Sequence, residues 1–270
     1  MLQNRFRVID AHCHVYPDKI LPAATEATAA FYGEKAHHSG SVKELLQAGT
    51  AAGIDHFVIQ SVATKPKQVQ SINEFIAATA AANPDRFTGL GTAHPESPDI
   101  AADIRHLIAL GLHGVKIHPD IQGYPLDYPG YRQLCALCAQ AGLPLLIHTG
   151  DRRYDNSNPN RLLPLLHTYP SLTVVAAHLG GYTIWEQAAQ QLPGQPNLYV
   201  DCSSSLGYLS PQTARQIIRR YGADRVLFGT DHPLHDVADE VQRVLALELT
   251  PEEYDRILWR NAVQVYGVHI

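Results

Sequence analysis

Two histidines and an aspartate stand together near the start of the chain, in Asp10-Ala11-His12-Cys13-His14, directly after the apolar, β-type run Phe6-Arg7-Val8-Ile9. In an extended strand, residues two apart share a face, so this spacing aims Asp10, His12 and His14 the same way. Neutral imidazoles on one face of a strand end can chelate zinc and similar divalent ions. A lone His-x-His is weak evidence, because most of the chain's 15 histidines must be incidental. Three further apolar runs strengthen it by ending in the same manner. They are Leu145-Leu146-Ile147-His148, Val174-Val175-Ala176-Ala177-His178 and Val226-Leu227-Phe228-Gly229-Thr230-Asp231.

The intervals carry their own argument. They are 134 residues from His14 to His148, 30 more to His178 and 53 more to Asp231. An eight-unit (β/α) barrel of about 250 residues spends roughly 30 residues on each unit. The intervals then equal about four units, one and two, and the polar residues end strands 1, 5, 6 and 8. In a TIM barrel those C-terminal strand ends form one active-site mouth. The rest of the chain agrees, since short β-rich runs alternate with amphipathic stretches as in a parallel sheet with crossover helices. Residues 16–40 are too long for a simple loop and predict a helical insertion over the mouth. Ser41 with Glu44 three residues on reads as a helix start. Strand 2 is expected over 54–62, strand 3 over 87–93, strand 4 over 114–118 and strand 7 over 197–201. Thr250-Pro251-Glu252-Glu253 opens a last helix, expected to pack on the outside of the barrel.

At 45% hydrophobic content, 270 residues can bury a large core, and the fold class expected is α/β, a single (β/α)8 barrel domain over 1–270. The formal charge is −5 and the basic residues are scattered, which argues against a nucleic-acid surface. Four cysteines make no disulfide framework in a chain of this length. Cys135 and Cys138 lie in a helical pattern and read as small core residues. No signal-peptide pattern and no apolar run of membrane-spanning length is present, so a cytoplasmic protein without membrane partners is expected.

Taken together, the motifs resemble the amidohydrolase superfamily. Within it they resemble the amidohydrolase-related group that includes aminocarboxymuconate-semialdehyde decarboxylase-like enzymes. The pieces that carry the resemblance are Ile9-Asp10-Ala11-His12-Cys13-His14, Gly114-Val115-Lys116-Ile117-His118-Pro119, Ile147-His148-Thr149-Gly150, Ala177-His178-Leu179-Gly180-Gly181, Phe228-Gly229-Thr230-Asp231-His232-Pro233 and Asn261-Ala262. The resemblance implies one divalent metal per chain, zinc or else manganese, held by His12, His14, His148 and Asp231. It implies that His178 is catalytic rather than a constant ligand. Asp231 could also accept a proton from metal-bound water. In binuclear relatives a carboxylated lysine on strand 4 bridges two metals. Lys116 is read here first as an inward cation that binds a substrate carboxylate or pairs with Asp10. His118 either supports the site or caps the chain before Pro119.

Arg152 and Arg153, in the loop after His148, could grip a carboxylate. His94, Tyr154 and Trp185 are weaker candidates for pocket walls, and alternation aims His232 away from the metal. The function expected is hydrolysis of a small, carboxylate-bearing or cyclic substrate by metal-activated water. The alternative is non-oxidative decarboxylation in the same site. A metal-binding scaffold without turnover is the non-enzymatic rival. TatD-like nucleases share the His-x-His, but carry Glu on strand 4 where this chain has Lys116. The expected partner is a small-molecule substrate, with a homodimer left open.

Overall fold

The computed structural model describes residues 6–268. Eight parallel strands follow one another around a barrel. The first is Ile9–His14, the second His56–Gln60, and the third is split at Leu90 into Phe87–Gly89 and Gly91–Thr92. The fourth to eighth are Val115–Ile117, Leu145–Ile147, Val174–Ala176, Leu198–Asp201 and Val226–Leu227. Each pairs in parallel with the next. The ring closes where the chain after the eighth strand meets the first. Ala11 N donates to Phe228 O at 2.9 Å, Asp231 N to His12 O at 2.9 Å, and His14 N to His232 O at 2.7 Å.

Strand alternation sorts the apolar side chains into two layers. Val58, Leu90, Leu146, Val175 and Leu227 pack inside the barrel. Phe57, Ile59, Val115, Ile117 and Ile147 face the helices outside. Cys135 and Cys138 belong to this outer layer, fully buried. The first crossover helix begins where the sequence places it. Ser41 Oγ accepts from Glu44 N at the start of Val42–Ala52, and Gly53 closes that helix with φ +84°. The expected insertion is present, with Leu21–Tyr32 as its helix. Among the described residues, no helix is long and apolar enough to cross a membrane.

The last helices depart from expectation. Pro251–Asp255 starts with a full capping box at Thr250 and Glu253. It runs on through Arg256–Arg260 into Asn261–Tyr266. Ala262 and Tyr266 do not lie on the barrel's outer wall but pack with Ile9, Val58 and Leu90 of the inner layer. The segment plugs the end opposite the mouth, and Tyr266 O there accepts from His113 Nδ1 at 2.8 Å. Physically, eight short strands leave their lower end open, and an apolar helix face is the cheapest seal.

Tyr266 is 2% exposed, and its hydroxyl has no hydrogen-bond partner. Tyr266→Ala should cost about 3–5 kcal/mol of unfolding free energy, as for other large buried aromatics. Tyr266→Phe removes an unpaired polar group and should be neutral or stabilising. Chemical denaturation of both variants checks the contrast.

Candidate metal centre and active site

The first strand is not regular. Asp10 pairs with Phe57 but Cys13 with Ile59, so one extra residue is inserted between them. The bulge turns Asp10 and Cys13 both outward, in line with Phe57 and Ile59, while Ala11 and His12 both face in. Asp10 therefore does not share the face of His12 and His14. Its carboxylate accepts from Thr230 Oγ1 at 2.6 Å, Thr230 N at 3.0 Å and His12 N at 3.2 Å. Burial raises its pKa to about 6. It ties the first strand to the eighth, and the expected option of an Asp10–Lys116 pair does not form.

His12, His14 and Asp231 do converge. His12 Nε2 lies 3.3 Å from His14 Nε2 and 3.4 Å from Asp231 Oδ1, and His14 Nε2 lies 3.6 Å from the same oxygen. Donors about 2.1 Å from a tetrahedral divalent ion stand roughly 3.4 Å apart, so the trio fits such an ion. The tautomer fits too. His12 Nδ1 donates to Asp201 Oδ2 at 2.9 Å, which leaves Nε2 with its lone pair toward the cluster. Asp201 is held in turn by Ser203 Oγ at 2.5 Å and by the amides of Ser203 and His178. Gly229 makes room, since a side chain there would come 2.8 Å from His12 Cβ. Lys116, 1% exposed, points its ammonium at His12 Nε2 from 3.2 Å. Burial lowers Lys116 to about 8 and raises Asp231 to about 7, with Ser204 Oγ donating to Asp231 Oδ2 at 2.5 Å.

His148, the fourth ligand that the resemblance implies, does not join this cluster; it stands beside the trio and faces His178. His178 Nδ1 donates to Ser203 O at 3.1 Å, and His148 Nε2 to Gly150 O at 3.1 Å. Both carbonyls can only accept, so the remaining nitrogens, His178 Nε2 and His148 Nδ1, carry lone pairs and lie 3.0 Å apart. Burial holds His12, His14, His118 and His148 well below the usual imidazole range, and His178 at about 3. His118 stacks on His148 with ring centres 3.8 Å apart, and Asp120 Oδ2 lies 3.5 Å from His148 Nε2. This second trio is a poorer metal site. His118 Nδ1 accepts from Ile121 N, His118 Nε2 donates to Tyr32 Oη, and His148 Nε2 is taken by Gly150. Gly150, at φ +75°, lies so close to the Gly181 backbone that no side chain fits. That contact keeps the loops behind the two histidines together.

A family profile for the amidohydrolases matches residues 9–268. The chain belongs to the amidohydrolase family. The 2-amino-3-carboxymuconate-6-semialdehyde decarboxylase of Dictyostelium discoideum is 29% identical over 109 residues, which is 40% of this chain but only 30% of that relative. Among solved structures, 5-carboxyvanillate decarboxylase of Sphingomonas paucimobilis superposes with a TM-score of 0.75 at 19% identity, over 98% of this chain and 100% of that one. An uncharacterised TIM-barrel protein of Bordetella bronchiseptica gives 0.77 at 23%, over 97% and 99%. The 2,6-dihydroxybenzoate decarboxylase of Rhizobium gives 0.74 at 18%, over 97% and 99%. At these identities the superpositions speak for the fold, a TIM barrel.

In this amidohydrolase the insertion covers the mouth. Tyr32 Oη accepts from His118 Nε2 at 2.8 Å and reaches His148 Nδ1 at 3.2 Å. Arg153 serves the same cover. It donates to both oxygens of Asp151 and, at 2.7 Å, to Phe31 O, with its guanidinium over the Phe31 ring. Arg152 is exposed and bonds Thr183 O at 3.1 Å. Tyr154 stacks on Phe31, Trp185 on Tyr208, and His94 packs against Tyr124. His232 lies against His38 with ring centres 5.0 Å apart. Sequence reasoning missed Asp201, Ser203 and Tyr32. Asp201 ends an apolar run, Leu198-Tyr199-Val200-Asp201, so the strand-end rule that found the histidines would have found it.

Metal binding should be pH-dependent with a definite sign. The histidines are already neutral near pH 6, whereas Asp231, at about 7, must release a proton to bind. Apparent manganese affinity should rise roughly tenfold per pH unit up to about pH 7 and then level. Titration calorimetry at several pH values checks it. His12→Ala should abolish metal retention with native circular dichroism. Full metal content in that variant would refute the trio.

Proposed function

We propose that this amidohydrolase is a metal-dependent decarboxylase of a small ring-bound carboxylic acid, and we rank this above hydrolysis by activated water. The observation that carries the reading is Lys116. It is a fully buried cation aimed at the candidate metal centre, and it makes no salt bridge among the described residues. A buried charge needs a partner, and a substrate carboxylate supplies one by a charge-assisted hydrogen bond. The decarboxylases named among the similar proteins support the same reading.

The residues divide the work. A divalent ion on His12, His14 and Asp231 would bind substrate oxygen atoms and draw electron density from the ring. Lys116 Nζ orients the carboxylate. His178 Nε2, neutral and bare, accepts a proton from a substrate hydroxyl. Asp231, ionised when it holds the ion, receives that proton in turn and passes it to the ring carbon. The bond from that carbon to the carboxylate breaks, its electron pair stays on the ring, CO2 leaves, and the Asp231 proton takes the vacated position. A 5-carboxyvanillate decarboxylase of the same fold carries manganese. We assign manganese first, with zinc second.

The manganese-loaded protein should release CO2 from 2,6-dihydroxybenzoate or 5-carboxyvanillate. A chelator should stop turnover, and added manganese should restore it. Lys116→Met should raise KM by about tenfold or more, whereas Asp231→Asn should lower kcat by at least ~10²-fold. If amides, esters or lactones are split into two fragments while no carboxylate loses CO2, hydrolysis is the activity.

A further inference from the structure

We propose that Gln60 determines specificity at this mouth by binding a hydroxyl group of the substrate beside the metal trio. This rests on the catalytic-site reading above but not on the bond that is broken there. The second strand fixes where Gln60 points. Phe57 and Ile59 face the outer layer and Val58 the inner one, so alternation turns Gln60 inward. Its register partner is His14. Neighbouring strands lie ~4.8 Å apart and paired residues share a face, so the carboxamide projects into the barrel next to a metal-binding imidazole.

Gln60 is fully buried, yet neither its Nε2 nor its Oε1 has a hydrogen-bond partner. The contrast with Gln122 is instructive. That carboxamide, also buried, donates to Ala63 O at 2.9 Å and Ala93 O at 2.8 Å, and accepts from His118 N at 3.0 Å and Tyr131 Oη at 2.8 Å. Gln122 is a structural amide, complete within the fold. Gln60 is incomplete, and leaving a buried donor and acceptor bare opposes folding. Around the ring, His148, His178 and Asp201 each have a hydrogen-bond partner in the structure. Gln60 keeps its donor and acceptor side by side for a bound molecule. A hydroxyl matches, because it can donate to Oε1 or accept from Nε2. A methyl ether cannot donate, and a hydrogen in its place does neither.

The test uses the manganese-loaded full chain and three probes: 2-hydroxybenzoate, 2-methoxybenzoate and benzoate. The wild type should bind the hydroxy acid at least about tenfold more tightly than the ether, since a site built to bond a hydroxyl rejects analogues lacking it. Gln60→Met should bring that ratio within about threefold by weakening the hydroxy acid alone. Benzoate affinity and manganese content should not change, and Tm should stay or rise because a bare amide is gone. Should Gln60→Met not fold, Gln60→Leu takes its place. A preference retained in the variant, or absent from the wild type, overturns the proposal. A drop in Tm with loss of manganese, or failure of both variants to fold, assigns Gln60 a structural role and also overturns it. If the variant erases the preference while no carboxylate yields CO2, the recognition role stands and the decarboxylase reading fails.

Discussion

Lone pairs converge at the mouth of this barrel, and they repel unless something positive stands among them. Three of the rings are fixed from behind by a partner that leaves the inward nitrogen unprotonated. Asp201 holds His12, the Ser203 carbonyl holds His178, and the Gly150 carbonyl holds His148. Burial keeps the rings neutral, so protons do not relieve the conflict near pH 7. Lys116 offers one positive charge, directed at His12. A divalent ion among His12, His14 and Asp231 offers two more charges at the point of convergence. Anything that binds the folded state alone also stabilises it by mass action. Metal binding and the integrity of the mouth are therefore one property.

Holding so many donors in one place takes an irregular backbone. Among the described residues, six other than glycine have positive φ, and five of them surround the mouth: His178, Leu179, Thr183, Ser204 and Asp231. Such conformations cost of order 1–3 kcal/mol each and persist only where the surroundings over-determine them. Here the surroundings do so. Asp231 N is bonded to His12 O across the barrel seam, Gly180 and Gly181 hand their amides to Ala177 and His178, and Tyr221 Oη secures Leu179 O. The bulge in the first strand belongs to the same set of devices, because it is what lets His12 and Ala11 both face inward. The regular layers below, sealed by Tyr266 and Ala262, supply the stability that the mouth spends.

The barrel was legible because its signals are local and repeated. Apolar runs ending in polar residues at about 30-residue multiples specify both the strands and the end at which chemistry gathers. His12, His14 and Asp231 were legible for the same reason. What escaped detection depends on contacts between distant parts of the chain. A bulge leaves no mark in Asp10-Ala11-His12-Cys13-His14, so Asp10 read as an inward residue. Arg153 read as a free cation because nothing in the sequence shows Asp151 and Phe31 closing on it. Tyr32 lay in a stretch legible only as an insertion. Asp201 is different, since its signal was present but carried by a residue type less conspicuous than histidine.

The cover over the mouth and the floor beneath it are built from opposite materials. The floor is apolar and continuous with the inner core. The cover is held largely by polar contacts: Tyr32 on His118, Arg153 on Asp151 and the Phe31 carbonyl, and Tyr208 with Tyr182 on Glu34. Each hydrogen bond of this kind contributes only about 0.5–1.5 kcal/mol net, because water competes for the same groups when it is broken. The Arg153–Asp151 ion pair joins a buried carboxylate to a guanidinium that is partly exposed, so solvent screens it from the arginine side. Dissolving the floor would instead expose large apolar surfaces to water, at about 25 cal/mol per Å². The metal cluster thus sits between a layer that is costly to open and one that is cheap to open. That asymmetry lets one fold keep its donor atoms fixed and dry while leaving a route to them on a single side.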